Sequence, residues 1–203
     1  MINYLLQGLL FGLAYVAPIG TQNLYVINAA TTRSKWHTYQ VVLITVFFDI
    51  TLALSCFLGV GLLIERFMLL KVIVILIGSI IVTYIGIGLI RKSTNLGESK
   101  KTETSLIKTV GACFAVTWLN PQAIIDGSLL LGGFRASLDY SMSHYFITGV
   151  CIASFLWFNI LATLVFIFRT KFVKTINVIN VVCGLILIFY GLKLAYSFFV
   201  LIK

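Results

Sequence analysis

Charge is scarce in this chain. Only 10% of its 203 residues are Asp, Glu, Lys or Arg, against about 25% in a soluble domain, which excludes an ordinary water-soluble globule. Proline is nearly absent, with two residues, and no Ser/Pro/Gly tract is available as a linker between domains. Cysteine is limited to Cys56, Cys113, Cys151 and Cys183, with no CxxC spacing. That argues against thiol-redox chemistry and against a metal site, and it leaves core packing as the role of the four. An ATP-binding motif is also missing, so a primary pump would need a partner subunit. No cofactor is expected.

What is present is apolar. Hydrophobic residues make up 60% of the chain, and the mean hydropathy is +1.07. Six long runs stand out, at residues 4–30, 38–63, 68–90, 107–131, 145–168 and 176–200. A membrane-spanning helix needs about 20 apolar residues, and every run reaches that length. The expected fold is therefore all-α. It is a polytopic membrane helix bundle of about six transmembrane helices, with residues 1–203 as a single integral membrane domain in a lipid bilayer. The first run has no Lys or Arg before it and is too long for a cleaved signal peptide, so it is expected to stay.

The net charge of +9 would suit a nucleic-acid partner, but the positions of the charges point elsewhere. Arg33 and Lys35 follow the first run. Arg91, Lys92, Lys100, Lys101 and Lys108 follow the third, and Arg169, Lys171 and Lys174 follow the fifth. These ten lie on one side of a six-helix bundle, against four (Arg66, Lys71, Arg135, Lys203) on the other. Lys193, near a helix end, can snorkel outward. By the positive-inside rule the ten face the cytoplasm, which puts both termini outside.

The two halves resemble each other. Gly8 and Gly111 each precede a proline by ten residues, Gly12 and Ala115 by six, and Tyr15 and Trp118 by three; Asn23 and Asp126 each follow one by five. Val46-Phe47-Phe48-Asp49-Ile50 matches Leu156-Trp157-Phe158-Asn159-Ile160, and Gly78 precedes Tyr84 by six as Gly184 precedes Tyr190. A three-helix unit used twice must enter the membrane in opposite senses, the inverted repeat common in secondary transporters. The units are expected at about 1–92 and 107–203, joined by a cytoplasmic loop at about 91–107. Gly8/Gly12 and Gly111/Ala115 are small-xxx-small pairs, which permit close helix approach within the bundle or across a dimer.

Polar groups inside apolar helices mark the candidate site. Each half carries its one proline inside its first run, where it removes a backbone donor and frees carbonyls. Broken backbone survives at membrane depth only where it lines a cavity or is buried in protein. Around Pro18 stand Gly20, Gln22 and Asn23; around Pro121 stand Asn120 and Gln122. Helix N-termini after such breaks offer N–H groups to an anion. Apart from Lys193, the charges within the helices are Asp49 and Asp126. An intramembrane acid normally faces a cavity and serves function. Aligned by the repeat, Asp49 meets Asn159 and Asp126 meets Asn23, so each equivalent pair holds one carboxylate and one amide. Two acids without a fixed basic partner suit a cation, a proton, or both.

The run Ala17-Pro18-Ile19-Gly20-Thr21-Gln22-Asn23, with Thr117-Trp118-Leu119-Asn120-Pro121-Gln122 and Asp126, resembles the lysine exporter (LysE) family. The likeness is nearest to its lysine/arginine branch, which Asp49 after two apolar residues also fits, and it extends over essentially the whole chain. Thr21 stands where the family often has a second proline. Gln122 stands where the basic-amino-acid branch usually has histidine. The resemblance implies export of amino acids from the bacterial cytoplasm, driven by the membrane potential or a proton gradient, by a protein that is not an enzyme; it also makes a homodimer plausible. Asp49 and Asp126 are then expected to hold the cationic groups of the substrate. The breaks at Pro18, Gly20 and Pro121 would hold its carboxylate, with Gln22, Asn23, Asn120, Gln122 and Asn159 completing a polar shell. The alternatives are an exporter of neutral amino acids, an intramembrane aspartyl protease built on Asp49 and Asp126, and a redox or structural membrane protein. The protease reading lacks a Gly-x-Gly-Asp arrangement around either acid.

Overall fold

The structure is a computed structural model that describes residues 1–59, 67–94, 105–135, 138, 140–168 and ten positions within 181–196. Among the described residues every regular element is helical. The helices are α1 (Ile2–Val16), α2 (Thr21–Thr32), α3 (Lys35–Phe57), α4 (Met68–Thr94), α5 (Leu106–Trp118) and α6 (Pro121–Gly127). A π-helical segment, Ser128–Gly132, follows α6, and then come α7 (Gly133–Arg135) and α8 (Tyr140–Phe168). The positions described within 181–196 are helical as well. The described parts of the six apolar runs are thus mostly helical. The expectations placed on Arg66, Lys100, Lys101, Arg169, Lys171, Lys174, Cys183, Tyr190, Lys193 and Lys203 lie outside the described residues.

The first and fourth runs are not single kinked helices. Residues 17–20 separate α1 from α2, whose axes differ by 78°, and Leu119 and Asn120 separate α5 from α6. By length and composition α3 and Ser141–Phe168 can each cross a membrane, and the bent pair α1–α2 can make a third crossing. Their outer faces fit lipid: Leu6, Leu10, Leu43, Phe47, Phe155, Ile160 and Leu164 are all exposed. Soluble proteins rarely expose apolar surface so continuously.

Inside lipid the hydrophobic effect does not drive helix onto helix, so close packing must do so. α1 lies along α8, and three glycines set their separation. A Cβ at Gly8 would collide with the Phe146 carbonyl, and one at Gly149 with the Leu5 carbonyl. At Gly12 it would stand 2.8 Å from Val150 Cα and 2.7 Å from Ala153 Cβ. The Gly8/Gly12 pair therefore works within the bundle. Gly111, its counterpart by sequence, faces open space: a Cβ there would meet nothing within 4 Å. α3 packs on α8 and α5, while α2 wedges between α8, α3 and α5. Val26, Val41, Val42, Val116, Phe146, Val150 and Phe158 form the fully enclosed core. Phe134 from α7 packs at a tilt on Phe11 (4.5 Å between ring centres) and stacks on Phe146 (4.8 Å).

Local chemistry places the α2–α3 corner. Ser34 caps α3 by accepting the His37 N–H at 3.4 Å, and Thr38 Oγ1 donates to Ala29 O at 3.1 Å across the turn. Of the cysteines, Cys113 sits between α5 and α3, bonded to Thr45 (3.4 Å), and Cys56 lies against Ile124 O (3.7 Å). Both are buried and free, consistent with core packing.

Gly8→Leu is expected to separate α1 from α8 and to cost at least the ~1–3 kcal/mol typical of overpacking. Gly111→Ala should leave stability unchanged or raise it by about 0.5–1 kcal/mol. Heating detergent-solubilised protein and following the surviving monodisperse fraction by size exclusion measures both.

Candidate functional site

Breaking a helix strands the carbonyls of its last turn and the N–H groups of its next one. At the first break Asn23 answers the carbonyls. Its amide nitrogen donates to Val16 O at 3.1 Å and to Pro18 O at 2.7 Å, while its Oδ1 accepts the Trp157 indole N–H at 2.9 Å. All the polar atoms of the Asn23 side chain are thereby used to hold the break and anchor it to α8. The N-terminus of α2 is left open. Its first backbone bond is Leu24 N–H to Gly20 O at 3.1 Å, and Gly20 brings no capping side chain. Gly20 itself is extended (φ −114°, ψ −169°), a conformation any residue can adopt. What it contributes is the absence of a side chain beside the opening.

The second break follows another pattern. Pro121 is the first residue of α6, where its missing N–H is harmless and its fixed φ suits the helix. Two residues, Ile19 and Gly20, delay the restart after Pro18; none does after Pro121. Asn23 is therefore the third residue of its helix, whereas Asp126 is the sixth of its own. The two aligned positions sit at different depths along their helices.

The breaks are tied together. Thr21 Oγ1 donates to Val116 O at 2.8 Å and accepts from the Asn120 amide at 3.1 Å. Between them opens a cavity of about 100 Å³, room for about three waters at ~30 Å³ each. Its walls are Tyr15, Val16 and Pro18 to Asn23 from the first break, and Asn120, Gln122, Ala123 and Asp126 from the second. No Lys, Arg or His is among the described residues that line it.

Asp126 is a wall residue, half-buried, with one oxygen accepting the Gln122 amide at 2.8 Å. Asp49 is fully buried behind the wall. Its Oδ2 accepts the Ser154 hydroxyl at 2.6 Å, and its Oδ1 accepts the amide of Gln22, a wall residue, at 3.2 Å. The expected residues Gln22, Asn23, Asn120, Gln122, Asp126, Pro18, Gly20 and Pro121 thus come together around one cavity, and Asp49 is one side chain removed. Asn159 is placed elsewhere: its amide donates to Phe155 O at 2.7 Å, a turn back in α8, and it does not line the cavity. Sequence reasoning missed Tyr15, Ser154 and Trp157 as parts of this site. Trp157 and Tyr15 lay within the repeat matches, but nothing near Ser154 in sequence marks its contact with Asp49.

A helical membrane bundle with two interrupted helices closing around a polar cavity has the construction of a membrane transport protein. The chain belongs to the LysE family: the family model "LysE type translocator" matches residues 13–198. It is similar to the arginine exporter protein ArgO of Shigella flexneri, 30% identical over 201 residues, which cover 96% of this chain and 94% of that protein. It is also similar to the ArgO proteins of Enterobacter sp. strain 638 (32% over 203 residues) and Escherichia coli K12 (30% over 201 residues), with the same shares of each chain covered. No solved structure matches the chain.

Thr21→Val keeps shape but deletes the hydroxyl that joins the two breaks, leaving Val116 O and the Asn120 amide unsatisfied. A loss of about 1–3 kcal/mol is expected, and Thr21→Ser should retain most of the wild-type stability. Thermal unfolding of the purified proteins in one detergent compares them.

Proposed function

We propose that this protein is a secondary-active exporter of amino acids, cationic ones first among them, in the bacterial cytoplasmic membrane. The observation that carries the reading is the cavity between the two breaks, which has a carboxylate in its wall and no described basic residue to neutralise it. Asp126 would take the ammonium or guanidinium group of lysine or arginine, with Asp49 supplying a second negative charge behind Gln22. The open N–H groups at the start of α2 suit the substrate's α-carboxylate, where the helix dipole also favours negative charge. Asn120 and Gln122 complete the polar lining. The names of the ArgO relatives point to the same substrate class.

Transport would follow from rocking one three-helix unit, about residues 1–92, against the other, about 107–203, around this fixed site. The driving force would be the membrane potential or a proton gradient. The basic loops would face the cytoplasm, both termini the outside, and two copies would pair as a homodimer. Export of neutral amino acids is the second reading, favoured by the Gln122 amide that already occupies one oxygen of Asp126. The protease reading draws no support from the geometry. Asp49 is engaged by Ser154 and Gln22, and Asp126 by Gln122, so the two acids do not share a proton as a dyad would.

Counterflow in proteoliposomes, using radiolabelled arginine, lysine, leucine and threonine, tests the proposal. Arginine or lysine should exchange selectively, and Asp126→Asn should reduce that exchange to the level of protein-free liposomes while leaving the protein in the membrane. Exchange of leucine and threonine instead would overturn the cation argument. Normal arginine exchange by Asp126→Asn would remove Asp126 from the site.

A further inference from the structure

Burying a polar atom without a partner costs free energy, so each such atom in a structure calls for an explanation. Among the described residues two buried side-chain atoms lack one, Tyr15 Oη and Thr117 Oγ1. Only Tyr15 belongs to a residue that lines the cavity. Its side chain is 8% exposed, and its ring is wedged against α6, with Cε2 3.2 Å from where a Cβ on Gly127 would stand. Asp126 lines the same cavity.

The neighbouring amide gives the unpartnered hydroxyl its meaning. Gln22 belongs to the cavity wall, and its Nε2 donates to the buried Asp49 at 3.2 Å, a long bond for a carboxylate acceptor. A neutral N–H donor thus occupies the position that a substrate's cationic N–H group would take. If that amide swings aside, Asp49 Oδ1 is uncovered toward the cavity that Tyr15 also lines. Two oxygen acceptors then face a head group rich in N–H donors. A guanidinium has five such donors in one plane and an ammonium has three, so either can serve both oxygens.

We infer that Tyr15 is a substrate-contacting residue: its hydroxyl, with Asp49, forms an inner subsite for the cationic head group that the Gln22 amide closes in the conformation seen. This rests on the cationic-amino-acid reading above and deepens it. Asp126 meets the substrate in the open cavity, and Tyr15 and Asp49 receive its head group when it moves inward. The hydroxyl is unsatisfied because its partner is the transported molecule.

Tyr15→Phe removes the hydroxyl and keeps the ring. Arginine counterflow in proteoliposomes should show a KM raised about tenfold, the size of one hydrogen bond to a charged group, with the maximal rate close to wild type. Without arginine the variant should unfold at the same temperature as wild type or a higher one, because an unpartnered hydroxyl contributes no stability. The rise in unfolding temperature that arginine gives the wild type should shrink or vanish. A KM equal to wild type overturns the inference and leaves the transport reading standing. A lower unfolding temperature without arginine also overturns it, since the hydroxyl would then hold a structural partner. A wild-type protein that exchanges no arginine or lysine overturns the transport reading and this inference together.

Discussion

A polar backbone interrupted within an apolar helix must be answered by other protein groups, since lipid offers no hydrogen bonds. The organisation of this protein follows from how its two interruptions are answered. Asn23 takes the carbonyls of the first break and is itself held by Trp157 of α8. Thr21 reaches across to Val116 O, and Asn120 reaches back to Thr21. These bonds leave the start of α2 uncapped and turn it, together with Asp126, toward a shared cavity. The tight α1–α8 contact at Gly8, Gly12 and Gly149 holds the first break against the helix that carries Ser154, the partner of Asp49. Packing and polar satisfaction thus converge on one place.

The two halves serve that place unequally. Equivalent prolines end in different roles, one inside a four-residue break and the other opening a helix. The first half supplies an amide that is consumed in holding the break. At the aligned position the second half supplies a carboxylate that faces the cavity. Gly8 is pressed against α8 while Gly111 looks onto open space. The continuation of the fourth run also passes through a π-helical segment after Asp126, with Gly127 and Gly132 close against Cys56; α2 is regular throughout. Such π-segments occur often at functional sites. Divergence of this kind would suit a machine whose two units rock against each other around one substrate.

Much of this was legible in the chain itself. The apolar runs announce an all-helical fold because run length and spacing are local properties. Pro18 and Pro121, each flanked by amides, announce the breaks for the same reason. The use of each side chain was not legible, because it depends on contacts distant in sequence. Asn23 and Asn120 are alike in type, yet one is spent on carbonyls of its own break and the other on a threonine 99 residues away. Thr21 stood out only as a departure from the family pattern, and its bridging hydroxyl gives that departure a physical role. Asn159 matched Asp49 in the repeat, but its amide turns back on its own helix. A one-dimensional match assigns a residue to a depth along a helix and says nothing of the face it occupies.

We place the substrate in the cavity between the breaks. Ala123 lines it, and Ala123→Cys would place a thiol there while the native Cys56 and Cys113 stay buried. The most direct measurement is the rate of maleimide labelling of that cysteine in proteoliposomes, above the wild-type background, with and without arginine. Arginine should slow labelling at Ala123→Cys and leave it unchanged at Lys108→Cys, an exposed position that does not line the cavity. Equal labelling at Ala123→Cys with and without arginine, by protein shown to exchange arginine, would contradict that placement.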